Sequence, residues 1–250
     1  MKKKIIFTGG NGRFAKSFYK FKKNHNITFL SSKELDILSE KSIKKNLTKY
    51  KPNIIIHNAG LSRPMIEHEK NITKSIKKNI IGTCNIVNEC SLRNIKVIYF
   101  STNYVYKGDE GNYGEDDPLL PVNNYAWSKL GGECAVKMYK NSLIVRLAIS
   151  EKPFVHNKAF TNIKSSFIYH DHAAEIIMKL LNQKGIINVG GKTQSIYDFA
   201  KKTNKKVTSI KLLKKNKISI PKNSSMSTKK LKKILKKWLN FGVTKENLKN

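Results

Sequence analysis

Arginine is nearly missing from this chain. Of its 49 basic residues in 250, only Arg13, Arg63, Arg93 and Arg146 are arginine, and the remainder are lysines spread along the whole length. The formal net charge of +32 would suit phosphate neutralisation on a nucleic acid. Base readout, however, leans on the bidentate guanidinium fork. A uniform lysine excess beside abundant Ile and Asn reads as compositional bias, so no specific nucleic-acid partner is expected. The field still attracts an anionic small molecule. Cysteine is scarce as well: Cys84, Cys90 and Cys134 form no Cys-x-x-Cys and cannot all pair. All three fall in segments that read as helix, so buried free thiols in a reducing compartment are expected. No stretch approaches the roughly 18 consecutive apolar residues of a membrane span. The opening Lys2-Lys3-Lys4-Ile5-Ile6-Phe7 has too short an apolar part for a signal peptide and runs straight into a glycine turn. No membrane contact and a cytoplasmic location are the expectations.

What is present is alternation. Short apolar β-branched runs at Lys4–Phe7, Ile27–Leu30, Ile54–His57, Val97–Phe100 and Leu143–Leu147 read as strands. Between them Arg13–Phe21, Ser42–Tyr50, Ile80–Arg93 and Tyr125–Met138 read as helices. Strand–helix alternation points to an α/β protein with a Rossmann-type doubly wound parallel sheet. After Ile149 the pattern loosens to Asp171–Leu181 as helix, Gly185–Val189 as strand, Ile196–Lys202 as a short helix and Lys229–Lys237 as a basic helix. Residues 1–149 are therefore expected to form a dinucleotide-binding domain. Residues 150–250 are expected to form a small C-terminal α/β substrate lobe packed on it, with the charge-rich stretch 201–217 as solvated surface.

The turn Thr8-Gly9-Gly10-Asn11-Gly12-Arg13-Phe14-Ala15 follows the first strand and opens a helix. In that context its backbone N–H groups can face a pyrophosphate. After the second strand stands Leu30-Ser31-Ser32-Lys33, where dinucleotide folds often place an acid for the ribose hydroxyls. Hydroxyls and a lysine, with Arg13 as a second cation, suit a 2′-phosphate. NADPH is therefore the expected cofactor, with NADH as the alternative, and Asp36 comes late enough to meet the adenine instead.

Tyr125-Ala126-Trp127-Ser128-Lys129 puts Tyr and Lys on one helix face. A lysine cation beside a phenol lowers its pKa, which equips Tyr125 to give a proton to a developing alkoxide. Thr102 would end the fourth strand, at the sheet edge where open α/β folds bind ligands, and could hold a carbonyl. Tyr197 and Lys201 share the spacing without such support.

These residues resemble the extended short-chain dehydrogenase/reductases, nearest the dTDP-4-dehydrorhamnose reductase group. Ser101-Thr102-Asn103-Tyr104-Val105-Tyr106-Lys107-Gly108 is similar to that group's Ser-Thr-Asp-Tyr-Val-Phe-x-Gly. Tyr113-Gly114-Glu115-Asp116-Asp117-Pro118 resembles its loop before the tyrosine, and Tyr125 through Glu133 resembles Tyr-x-x-x-Lys-Leu-x-Gly-Glu. Asn58-Ala59-Gly60, Asn79-Ile80-Ile81-Gly82-Thr83 and Phe167-Ile168-Tyr169-His170-Asp171 match further family stretches.

The resemblance implies hydride transfer to the keto carbon of a nucleotide-linked 4-keto-6-deoxy sugar, the chemistry of deoxysugars for cell-surface polysaccharide. Tyr125 would be the acid, Lys129 its tuner and ribose ligand, Thr102 the carbonyl holder and Asn79 a member of a proton relay. Cofactor contacts would come from Gly9, Gly10, Asn11, Gly12, Arg13, Phe14, Ser31, Ser32, Lys33, Asp36, Ile37, Asn58, Ala59 and Gly60, as well as from Tyr125 and Lys129. Substrate contacts would come from Ser62, Arg63, Thr102, Asn103, Tyr104 and Arg146. No metal set is evident. The partners implied are a nucleotide sugar and, at most, a second copy in a homodimer. Two departures bear on the substrate. Asn103 replaces an aspartate, and the segment Ile149 to Phe167 is shorter than in relatives, leaving His156 and Lys158 as either diphosphate ligands or surface residues. Other readings are a non-catalytic NAD(P)-binding regulatory subunit of the same fold, and an epimerase or dehydratase of the extended family.

Overall fold

A computed structural model describes residues 2–213 and 218–239. Residues 214–217 of the expected solvated stretch lie outside the described residues.

Strands β1 (Lys4–Thr8), β2 (Asn26–Leu30), β3 (Ile54–His57), β4 (Lys96–Thr102), β5 (Ser142–Leu147) and β10 (Gly185–Val189) form one six-stranded sheet in the order β10-β5-β4-β3-β1-β2. Every pairing in it is parallel. Both faces are buried, which is why the strands read as continuous apolar runs. The pleat sends alternate side chains to opposite faces. Ile5, Phe7, Ile54, Ile56, Ile98, Phe100, Leu143 and Val145 join one core. Ile6, Ile55 and Val97 join another. Each fully buried Ile or Phe contributes about 1.5–3 kcal/mol of transfer free energy.

Helices cover both faces. α1 (Arg13–Lys16), α7 (His170–Lys179) and α9 (Lys229–Leu239) bring Phe14, Ala173, Ile177 and Leu231 to the first core. α2 (Glu40–Tyr50) and α5 (Gly82–Ser91) bring Ile43, Leu47, Ile86 and Cys90 to the second. α6 (Asn124–Met138) packs Val136 against Tyr99 and Ile144. The architecture is a Rossmann-like doubly wound α/β sheet, as the alternation predicts. The strand order gives a topological switch between β1 and β3. Where a further strand would flank β2 in the six-strand order 3-2-1-4-5-6, the chain runs 31–39 as turns.

Several local expectations change. The helix expected over Arg13–Phe21 is one α turn followed by a 3-10 turn at Tyr19–Lys23, and the break lets the Tyr19 hydroxyl donate to the Gly10 carbonyl at 2.9 Å. The helix expected to start at Ile80 begins further back, through α3 (Ile66–Lys70), α4 (Ile72–Ser75) and a π-helical segment Ile76–Ile81. The boundary expected after residue 149 does not separate two sheets, because β10 from the later half pairs with β5. Around it lie only short pairs: β6 (Ile149–Ser150) with β9 (Ile168–Tyr169), β7 (Lys158–Phe160) with β12 (Thr208–Ile210), and β8 (Lys164–Ser165) with β11 (Gln194–Ser195), followed by α8 (Ile196–Lys201). Cys90 is buried, but Cys84 is half-buried and Cys134 is exposed, because Cys134 falls on the outer face of α6. Among the described residues no helix is long and apolar enough to cross a membrane.

Candidate active site

A cleft of about 660 Å³ opens at the carboxyl edge of the sheet, beside the β1/β3 switch. That volume suits a cofactor-sized ligand. The glycine turn forms one wall through Gly9, Asn11, Gly12, Arg13 and Phe14. Gly9 has a positive φ of 66°, a conformation glycine adopts freely, and an added Cβ there would crowd the Ala59 backbone. Gly12 starts α1 without a side-chain cap, and no acid stands in the first turn. Phe14 packs on Phe18 and Phe100 at centroid distances of 5.2 and 5.3 Å, which fixes this short helix. Gly10 does not line the cleft; its N–H bonds to the Leu30 carbonyl at 2.8 Å, and a Cβ would strike the β2 backbone.

Ser31, Ser32, Asp36 and Ile37 form the next part of the wall. Lys33 is exposed and is not part of it. The Ser31 N–H and hydroxyl both donate to Glu34 Oε2, at 2.8 and 2.6 Å. Two donors that suit an anion therefore stand in the cleft wall after β2, and an acid of this chain holds them. Asp36 accepts from the Leu38 N–H and its own N–H donates to Ser42, so it organises the turn it sits in.

Asn58, Ala59, Gly60, Ser62 and Arg63 line the cleft from the β3 side. One network holds this loop. The Thr8 hydroxyl accepts from the N–H groups of Asn58 and Ala59 and meets His57 Nδ1 at 3.0 Å. His57 Nε2 meets the Thr83 hydroxyl at 3.1 Å, and that hydroxyl donates to the Asn79 carbonyl. Thr83's single proton is thus committed, so the Nε2 of His57 carries hydrogen and Thr8 donates to Nδ1. The ring is neutral. Burial, with the Lys129 charge, pushes its pKa down to about 3.

Thr102, Asn103, Tyr104, Tyr125 and Lys129 complete the cleft. Asn123 caps α6 by accepting from the Ala126 N–H at 2.9 Å, which places Tyr125 in the first turn and Lys129 one turn on. Burial raises the Tyr125 pKa, while the Thr102 hydroxyl and the Arg63 charge pull against it. Lys129 does not exert the expected lowering here. Its Nζ lies 4.1 Å over the Tyr99 ring, and burial, opposed by Glu133, brings it down to about 7.

Three expected site residues serve the scaffold instead. Arg146 is 2% exposed. Its Nε and Nη2 bond the Glu133 carboxylate at 3.1 and 2.9 Å, and its Nη1 donates to the Tyr106 hydroxyl and the Glu115 carbonyl. Four of its five N–H donors are committed in this buried cluster and it does not line the cleft, so Arg146 is corrected to a buried structural ion pair. Both Asn79 Nδ2 hydrogens go to the Leu61 carbonyl and the Ser128 hydroxyl, and its Oδ1 accepts from the Leu61 N–H, so it positions the loop before Ser62 from behind the cleft. Asn103 borders the cleft, but its Nδ2 donates to Ser224 and Ser165, stitching β4 to the later half. Tyr104 stands edge-on to Tyr125 at 6.4 Å, and burial raises its hydroxyl to about 12.

The cleft also holds residues that spacing alone did not reveal: Ser101, Glu151 and His170. The Ser101 hydroxyl is buried without a partner. The His170 ring lies tilted against Phe14, with centroids 5.1 Å apart. His156 and Lys158 are exposed and lie outside the cleft. Among the described residues, no His/Cys/Asp/Glu group could hold a metal.

Residues 2–150 match the family model described as RmlD substrate binding domain. Similar sequences include a Bacillus subtilis spore coat polysaccharide biosynthesis protein, 28% identical over 57% of this chain and 52% of that protein. A Xenopus tropicalis methionine adenosyltransferase 2 subunit beta is 31% identical over 54% of this chain and 42% of that one. The matched part of the chain therefore spans about half the length of these relatives. Among solved structures, a Bacillus anthracis dTDP-4-dehydrorhamnose reductase in complex with NADP superposes with a TM-score of 0.83 at 24% identity, covering 97% of this chain and all of that one. That likeness carries the fold. With the family model matching more than half its length, this chain belongs to the RmlD substrate binding domain family.

Proposed function

We propose that this chain is an NADPH-dependent reductase of a nucleotide-linked 4-keto-6-deoxy sugar. The observation that carries the reading is the meeting of Thr102, Tyr125 and Lys129 with the glycine turn in one cleft. The donor set fits a phosphorylated dinucleotide. The turn at Gly9–Gly12 carries no acid, the Ser31 N–H and hydroxyl already bind an anionic oxygen, and the Ser101 hydroxyl is an unspent donor in the wall. The structural neighbour that holds NADP supports the same cofactor.

Bound NADPH supplies the hydride to the keto carbon. The Thr102 hydroxyl orients the carbonyl oxygen. Tyr125 donates its phenolic proton to that oxygen as negative charge develops there, so the ketone gains one hydride and one proton. Lys129, as an ammonium, holds the nicotinamide ribose and stabilises the phenolate left on Tyr125. For this it must lean from Tyr99 toward Tyr125.

The test is NADPH oxidation with a panel of dTDP-, UDP- and GDP-linked 4-keto-6-deoxy sugars. Turnover with one of them is expected. Tight NADPH binding with no turnover on any would favour the second reading, a cofactor-binding regulatory subunit. Its support is the likeness to proteins whose name makes them subunits of a methionine adenosyltransferase.

A further inference from the structure

A single carboxylate ties three separate walls of the cleft together. Glu151 Oε1 lies 2.8 Å from Arg13 Nη1, and its two oxygens lie 3.2 and 3.0 Å from Arg63 Nη1. Arg13 belongs to the glycine turn, Arg63 to the loop after β3, and Glu151 to the segment between β6 and β7. The carboxylate side chain is 13% exposed, whereas the arginines are 59% and 41% exposed. The acid is thus drawn inward while both guanidiniums keep donors on the open side. The chain has only four arginines, and half of them converge here.

We propose that Arg13 and Arg63 form one receptor for an organic diphosphate, and that Glu151 is its internal competitor, holding the receptor's donors until the ligand displaces it. The proposal rests on reading the cleft as a dinucleotide site. A guanidinium offers a planar fork of donors that matches phosphate oxygens. Two guanidiniums match the two negative charges of a diphosphate diester, and Glu151 cancels one of them. His170, beside this cluster, is kept below its ordinary pKa by burial and adds no counter-charge at neutral pH. The diphosphate could belong to the cofactor or to the nucleotide sugar. Both carry the same chemistry, and separate ligands tell them apart.

The experiment is calorimetric titration of the full chain, wild type and Glu151→Gln, with NADP+, with dTDP and with 2′-AMP, which lacks a diphosphate. The amide keeps the shape and removes the charge. Glu151→Gln should tighten at least one diphosphate by about tenfold, and the ligand that gains identifies the source. Affinity for 2′-AMP should stay unchanged. Adding Arg63→Gln to Glu151→Gln should cancel the gain. Unchanged or weaker diphosphate binding in Glu151→Gln overturns the competitor role, and so does an equal gain for 2′-AMP. If wild type binds NADP+ or dTDP but the variant gains nothing, the inference falls and the cleft reading stands. If neither protein binds either nucleotide, both fall together.

Discussion

The Lys129 ammonium lies 4.1 Å above the face of the Tyr99 ring, one α6 turn below Tyr125. The ring's negative face favours the cation, but burial opposes it more strongly and leaves the pKa at about 7. In the unfolded chain this lysine takes its proton near its ordinary value of 10.5. Its desolvation penalty is therefore complete below pH 7 and fades as pH rises from 7 towards 10.5. Lys129→Met should melt higher than wild type at pH 6, with the difference shrinking at pH 9. Thermal melts across that range check this; a constant or growing difference would show that Lys129 is not the buried cation described.

Tyr125→Phe removes the proposed proton donor and its contact with the Thr102 hydroxyl, while the ring still packs edge-on against His68 at 5.2 Å. Turnover should fall by about 10²–10⁴-fold, with the Kd for NADPH nearly unchanged. Steady-state rates and fluorescence titration separate the two effects. Near-normal turnover would remove Tyr125 from the mechanism.

His57 makes a prediction in acid. The unfolded ring protonates near 6.5, whereas the folded one resists until about 3. Stability is intact above pH 6.5 and is lost as pH falls towards 3. Burial lowers His68 and His170 in the same direction. His57→Gln should therefore flatten, without abolishing, the loss of melting temperature between pH 6.5 and pH 4. A slope equal to that of wild type would contradict the neutral, doubly bonded ring.

Arg146 tests the structural assignment. Arg146→Met strands the buried Glu133 carboxylate and should cost about 3–5 kcal/mol in denaturant unfolding. Arg146→Met combined with Glu133→Leu should recover most of that loss, because apolar replacement of a whole buried pair is often neutral. A stable single variant with altered substrate affinity would return Arg146 to the cleft.

Much of this protein was legible from local pattern. Apolar β-branched runs marked all six strands of the main sheet, because a strand buried on both faces has no polar alternation to blur it. The glycine turn and the Tyr125–Lys129 spacing were legible because the backbone between those residues is local: a turn needing positive φ at Gly9, and one helical turn. The π-helical segment at Asn79 was not, since it depends on how α6 meets β4. There a Cβ on Gly132 would collide with the Tyr99 hydroxyl and the Asn79 carbonyl.

The sequence by itself determined the fold class, the order along the chain of the six strands of the main sheet, and which residues could carry proton and hydride chemistry. Only the tertiary structure decided which charges are free to act. It folded Arg146 onto Glu133 because a buried guanidinium must be paired, set Lys129 over Tyr99, and carried Glu151 across the cleft to Arg13 and Arg63. Those pairings join residues far apart in the chain, and no local spacing records them.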